Sequence, residues 1–295
     1  MESKRSSRAG FTIMELLVAL GILVILVGIL APSIMRMREM EHRTRCSDNL
    51  RKLGIALGKY GDDNRNELPR VVYDEKQIPH GYTAYSGSDA ADPFVPGSTV
   101  SPNDVTASLW LLVRGGYLSS SPVTAAFVCP SAANEPDPLL DAAGRPVGPR
   151  QRSNFRSAKY LSYSYASPFS NAAGYGLKTD FLRKEFVLLA DMNPGRKGPQ
   201  QDATKPDFTD GPMELAIANS RNHREAGQNV LYGDMHVEFR DTPYCGADGD
   251  NIYTAQAEAM SVTGERPTPN GRGVLGKQYG PAWQTDSYLI PTASD

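Results

Sequence analysis

Glu15 is the only ionisable residue between Phe11 and Ala31, a stretch reading FTIMELLVALGILVILVGILA. A carboxylate at membrane depth is strongly unfavourable unless something neutralises it, so it marks function by default. Its spacing suggests the partner. A cut between Gly10 and Phe11 would give Phe11 a free amine one helical turn from Glu15. In an assembly, Glu15 of one copy could then neutralise the Phe11 amine of its neighbour. Other chemistry-bearing residues lie far along the chain. Asp191, His223, Asp234 and His236 include the types used by hydrolases and metal sites. No nucleophile motif and no His-Glu-x-x-His helix accompanies them. Hydrogen-bonding and loop-anchoring roles are therefore expected, and enzyme activity is not.

Glu15 must be positioned by the element that carries it. At 1.5 Å rise per residue, Phe11 to Ala31 spans about 30 Å, the thickness of a hydrocarbon core. The run is apolar all round, which suits lipid better than a single buried face. Met1 to Gly10 is polar and carries Lys4, Arg5 and Arg8, which places it on the cytoplasmic side. Arg36 and Arg38 beyond the run weaken the charge argument for topology. A secretory signal peptide or a plain signal anchor stays open on composition alone.

The 295 residues carry a net charge of -2 and 40 % hydrophobic residues, enough to bury a core outside the apolar run. Near-neutral charge gives no global attraction to nucleic acid. Cys46, Cys129 and Cys245 are odd in number and cannot all pair within one chain.

Arg8-Ala9-Gly10 followed by Phe11-Thr12-Ile13-Met14-Glu15 resembles the prepilin cleavage and methylation motif, with Gly before the cut, Phe after it and Glu four residues beyond. Pro32 falls where pilins often carry a helix-kinking proline. The resemblance, to type IV pilins and type II secretion pseudopilins, covers about residues 4–32. It implies removal of residues 1–10 by a prepilin peptidase, N-methylation of Phe11, and assembly with copies of itself or other pilins by a secretion or pilus machinery.

Leu50, Leu53, Leu57 and Tyr60 recur at helical steps, so one helix is expected from Phe11 to about Tyr60, loosened near Pro32, its second half lying on the body. Arg45-Cys46-Ser47-Asp48-Asn49-Leu50 through Tyr60 and Pro69 resembles a branch of bacterial prepilin-like proteins abundant in planctomycetes, as does Phe127-Val128-Cys129-Pro130. Beside that resemblance, Cys46 and Cys129 are either a disulfide tying stalk to body or two buried thiols. The same branch has a His followed after nine residues by Asp-Gly. Here Asp234 lies eleven positions beyond His223, and Met235 stands in place of the Gly.

In the body, Trp110 to Val113 predicts a short helix ending at Gly115-Gly116. Residues 131–158, with four prolines, read as a long surface loop. Tyr160 to Tyr165 alternates like a strand, and Phe186 to Asp191 reads as a central strand. Asn229–Tyr232 and Met235–Phe239 flank Gly233-Asp234, a two-residue hairpin turn with Gly233 supplying the conformational freedom. The last 30 residues show little periodicity and read either as partly disordered or as an irregular strap. Cys245 to Asn251 clusters oxygen donors with glycines. By resemblance to calcium-holding pseudopilins, Asp248, Asp250 and Asn251 are candidate calcium ligands, with a plain turn-rich loop as the alternative.

The expected fold is α+β: a long N-terminal helix packed on a small antiparallel sheet with long loops. The expected organisation is a leader at 1–10, a transmembrane helix at 11–31, an amphipathic stalk at 32–60 and an exported domain at 61–295. The expected location is single-pass in the cytoplasmic membrane lipid, leader inside, body periplasmic or extracellular. A filament subunit, a minor-pilin binding module and a membrane-anchored enzyme are the competing functions, in that order.

Overall fold

The computed structural model describes residues 12–76, 82–119, 122–170, 175–180, 182–195, 211–256, 273–274, 281 and 285–291. The chain divides into two compact units, Met1–Glu41 and His42–Asp295. Helix α1 (Ile13–Asp63) contributes to both and continues through Pro32. Within the first unit its apolar side chains stay exposed; Ile13 is 79 % and Ile29 70 % accessible. Within the second, Cys46, Leu50, Leu53, Ala56 and Leu57 form one buried stripe. Each buried leucine in that stripe contributes about 1.5–3 kcal/mol.

The stripe belongs to the same core as an antiparallel sheet. Its strands are β1 (Tyr163–Ala166), β2 (Val187–Asp191), β3 (Gln228–Tyr232), β4 (Val237–Arg240) and β7 (Leu289–Ile290), in the order β4-β3-β2-β1-β7. A separate short pair joins β5 (Ala255–Gln256) to β6 (Gly273–Val274). Strand β2 is central, as its apolar run predicts, and pairs Ala190 with both Ser164 and Val230. A second helix, α2 (Val105–Arg114), starts at Asp104, whose carboxylate accepts from Ala107 N at 2.8 Å, and stops at Gly115. A short helix α3 (Pro212–Ile217) precedes β3.

Four readings of the sequence need correction. Tyr160 lies in a 3₁₀ turn, and β1 is buried on both faces rather than alternating. Its Tyr163 and Tyr165 share one face; Asn49 Nδ2 of α1 donates to Tyr163 Oη at 3.5 Å and Tyr165 Oη donates to Pro69 O at 3.2 Å. Ser164 on the other face donates to Pro291 O at 2.7 Å. Residues 131–158 are not simply a surface loop. Asp137, Arg152, Ser153, Asn154 and Phe155 within them are buried. Trp110 explains why: its Nε1 donates to Arg152 O at 3.0 Å and its ring meets Phe155 edge-on at 4.8 Å. The C-terminal segment is not merely a strap, since Tyr288, Leu289 and Ile290 are buried and β7 pairs with β1.

The fourth correction concerns the β3–β4 turn. Met235 N donates to Tyr232 O and Tyr232 N to His236 O, enclosing three loop residues rather than two. The left-handed residue is Met235, with φ +69°, not Gly233. That is the position where a three-residue hairpin loop favours glycine. Gly233 serves a different need: a Cβ there would stand 2.4 Å from Arg183 O.

Cys46 of α1 and Cys129 are joined by a disulfide across a sequence separation of 83 residues. Closing a loop of that length contributes about 4 kcal/mol on the chain-entropy view. Cys245 is a free, buried thiol.

Candidate functional site

The first turn of α1 shows what Glu15 does within one chain. Thr12 N and Thr12 Oγ1 both donate to Glu15 Oε2 at 2.9 Å, and Glu15 N donates to Thr12 Oγ1 at 3.2 Å. This is a reciprocal capping box that satisfies otherwise orphaned donors at the helix start. The sequence carried the signal, Thr-x-x-Glu before an apolar run, and the reading above passed over it. Among the described residues, the hydrogen bonds of Glu15 engage Oε2 alone, and the residue is exposed. Gly10 and Phe11, with the leader 1–10, lie outside the described residues.

Behind this cap, α1 presents apolar side chains on every face, and the apolar span is not buried against the rest of the chain. It is long and apolar enough to cross a membrane. Exposed apolar area of that extent requires lipid or protein to cover it. Residues 5–31 match the prokaryotic N-terminal methylation motif. The match falls on Gly10, Phe11 and Glu15 together and supports a pilin-like or pseudopilin-like protein with a methylated, membrane-embedded helix. The motif also implies processing by a prepilin peptidase and assembly with pilus-type machinery. Neither the curated proteins nor the solved structures gave a match.

In the second unit, the structure brings together two of the four residues considered for catalysis. His223 and Asp191 are fully buried, with Nε2 3.2 Å from Oδ2. Asp191 also accepts from Asn229 N at 2.6 Å, Asn229 Nδ2 at 3.1 Å and Asn222 Nδ2 at 3.1 Å. A buried carboxylate needs such donors. His223 Nε2 lies 3.6 Å from Cys129 Sγ, and the ring meets Phe239 edge-on. Arg43 of α1 stacks its guanidinium 4.2 Å above the other reach of that Phe239 ring. The cluster therefore locks the end of β2, the turn before β3 and the stalk half of α1 together. Asn222 sits in a 3₁₀ turn and Asn229 at the start of β3, and neither position carries a periodic signal that marks it as a carboxylate partner.

The other pair stands apart on the β3–β4 turn. Asp234 and His236 are half-exposed and hydrogen-bonded to one another, and the His236 ring stacks on Tyr232. The His236 hydrogen bond holds the Asp234 carboxyl below its ordinary value.

The three calcium candidates each have protein partners. Asp248 is half-exposed and pairs with Arg183 at 3.2 Å. Asp250 is buried and accepts from Ser287 N at 2.9 Å, tying the approach to β7. Asn251 accepts from Tyr253 N at 3.1 Å.

Proposed function

We propose that the chain is a structural subunit of a type II secretion pseudopilus or type IV pilus-like filament, cut between Gly10 and Phe11 by a prepilin peptidase that also methylates Phe11. The observation that carries this reading is the first turn of α1. Glu15 uses one oxygen to cap its own helix through Thr12 and leaves the other out of that cap, while Ile13, Met14, Leu16 and Leu17 beside it are apolar and exposed. A cation brought by a second copy is the natural partner for that oxygen, and the Phe11 amine is the cation that cleavage creates. Uncovered apolar faces on α1 supply the remaining cohesion by packing on neighbouring α1 helices or on membrane lipid.

On this reading the protein is held single-pass in the cytoplasmic membrane before assembly, with the body on the outer side. Its role is read as structural rather than catalytic: His223 and Asp191 are fully buried in the core. The sequence strings around Cys46 and Cys129 resemble the planctomycete-abundant branch, and we propose the body belongs there, although Met235 departs from its His-to-Asp-Gly pattern.

The test is co-expression with a prepilin peptidase, followed by N-terminal analysis of membrane-extracted protein. A chain beginning at N-methylated Phe11 is expected. A mature chain beginning at Met1 would overturn the reading.

A further inference from the structure

Four ligand-type side chains from four separate segments converge in the core of the second unit. They are Cys46 on α1, Cys129 after a 3₁₀ turn, Asp191 at the end of β2 and His223 in the turn before β3. One ligand atom from each lies within 4.8 Å of all the others, and all four residues are buried. In the disulfide form the two sulfurs satisfy one another. What is unusual is the rest of the arrangement. His223 Nε2 faces Asp191 Oδ2 at 3.2 Å, Asn229 Nδ2 at 3.1 Å and Cys129 Sγ at 3.6 Å at once. A ring nitrogen has a single proton or a single lone pair and engages only one of the three at a time.

We propose that the dithiol form of this cluster is a tetrahedral zinc site, with Cys46, Cys129, His223 and Asp191 as ligands, and that the disulfide is its metal-free alternative. The donor set of two thiolates, one imidazole and one carboxylate is of the zinc type, mixed N, S and O around a closed four-coordinate centre. The distances fit as well. Zinc with Zn–S of about 2.3 Å and Zn–N and Zn–O of about 2.0–2.1 Å sets tetrahedral S···N and N···O edges of about 3.6 and 3.3 Å. The observed 3.6 Å and 3.2 Å already have those lengths. The sulfurs must separate to about 3.8 Å by the same geometry, and the remaining pairs start within 4.8 Å of one another. Outer hydrogen bonds that hold ligands in place are also present: Asp191 is fixed by Asn222 and by the backbone and side chain of Asn229.

The chemistry balances. A phosphine reductant and one water give the phosphine oxide and two thiols from the disulfide. Zinc then displaces two protons to form the bis-thiolate. Exchange with an added disulfide oxidant, reduced to two thiols, reforms Cys46–Cys129 and releases the ion. The proposal concerns the body alone and does not depend on the filament reading.

The test uses the full chain in detergent, with Co²⁺ as the spectroscopic probe and Zn²⁺ as the competitor. After phosphine reduction and its removal, one equivalent of Co²⁺ should bind. It should show thiolate-to-cobalt charge transfer and tetrahedral d–d bands, and Zn²⁺ should bleach them. The oxidised chain should show neither. His223→Gln should weaken and shift the bands, and Cys46→Ser should lower the charge-transfer intensity, while Cys245→Ala should leave the spectrum unchanged. No uptake by the reduced chain, or loss of the bands in Cys245→Ala, would overturn the proposal. If reduction unfolds the body, stoichiometric Zn²⁺ should restore its circular dichroism; a body that stays unfolded with zinc also overturns it.

Discussion

Arg152 grips Asp137 through both ends of its guanidinium, at 2.6 Å and 2.9 Å, with neither side chain more than 1 % exposed. The same guanidinium lies 4.9 Å from the Trp110 ring centre. A segment broken by prolines is thus held to α2 by a desolvated ion pair and an aromatic face. Removing one partner of such a pair leaves the other charge buried without compensation. Asp137→Ala should therefore destabilise the body by about 3–5 kcal/mol. The double variant Asp137→Leu with Arg152→Met, which removes both charges, should lose much less. Thermal unfolding of the two variants checks this, and equal losses would contradict it.

Glu15→Ala should leave the protein in the membrane fraction, since the apolar face of α1 is untouched. Its incorporation into filaments should fall sharply, because the carboxylate proposed to pair with the neighbouring amine is gone. Thr12→Ala removes only the cap, worth about 1 kcal/mol, and should assemble nearly normally. Filament yield from cells expressing each variant separates the two roles of Glu15. Normal assembly of the alanine variant at 15 would refute the charge pairing.

Burial pushes the Cys245 thiol up to about 12, with the Arg240 charge opposing it only in part. A thiol raised in the fold keeps its proton where the unfolded chain has lost it. Stability is therefore complete below the unfolded value of about 8.5. It declines as pH rises from there toward the folded value of about 12. Cys245→Ala should flatten part of that alkaline decline, the remainder belonging to buried tyrosines. Unfolding midpoints measured for both proteins between neutral and strongly alkaline pH provide the comparison. Superimposable pH profiles would show that the thiol carries none of the slope.

Gly233→Ala should cost about 1–3 kcal/mol, because its Cβ meets backbone oxygen that cannot move aside as a side chain would. Met235→Gly acts in the opposite sense on the backbone, relieving a left-handed residue of about 1 kcal/mol of strain, but it gives up packing against the core. The expected order of melting temperature is wild type above Gly233→Ala, with Met235→Gly within a few degrees of wild type. A neutral Gly233→Ala would mean that Arg183 can retreat.

Legibility in the sequence followed the length over which a physical signal repeats. The α1 stripe of Leu50, Leu53 and Leu57 and the apolar run of β2 repeat over several residues, and both stand where periodicity places them. Strand β7 is two residues long and cannot display a period, so Leu289 and Ile290 could not be recognised as sheet. Arg152 and Asp137 look like solvated charges in a loop, because pairing 15 residues apart leaves no local pattern. At the helix start the reverse held. The prepilin-like spacing of Gly10, Phe11 and Glu15 drew attention to an intermolecular partner, and the capping role of Thr12 three residues earlier went unread. The β3–β4 turn shows the same limit: the two-residue reading favoured Gly233, whereas backbone hydrogen bonds alone reveal that Met235 carries the left-handed conformation.

The pairing of β7 with β1 also sets a timetable. Tyr165 pairs with Ile290 and Ala166 with Leu289, so the sheet edge waits for residues 289–290. Contacts so distant in sequence form slowly. On the proposed reading, the N-terminal helix would be inserted and its leader removed while the body still lacks that edge strand. A chain halted or truncated before residue 289 would thus reach the membrane with β1 unpaired on one side, an open template for a neighbouring chain. If the proposed anchoring precedes pairing of β7, the interval between them is when the body would be most exposed to mispairing.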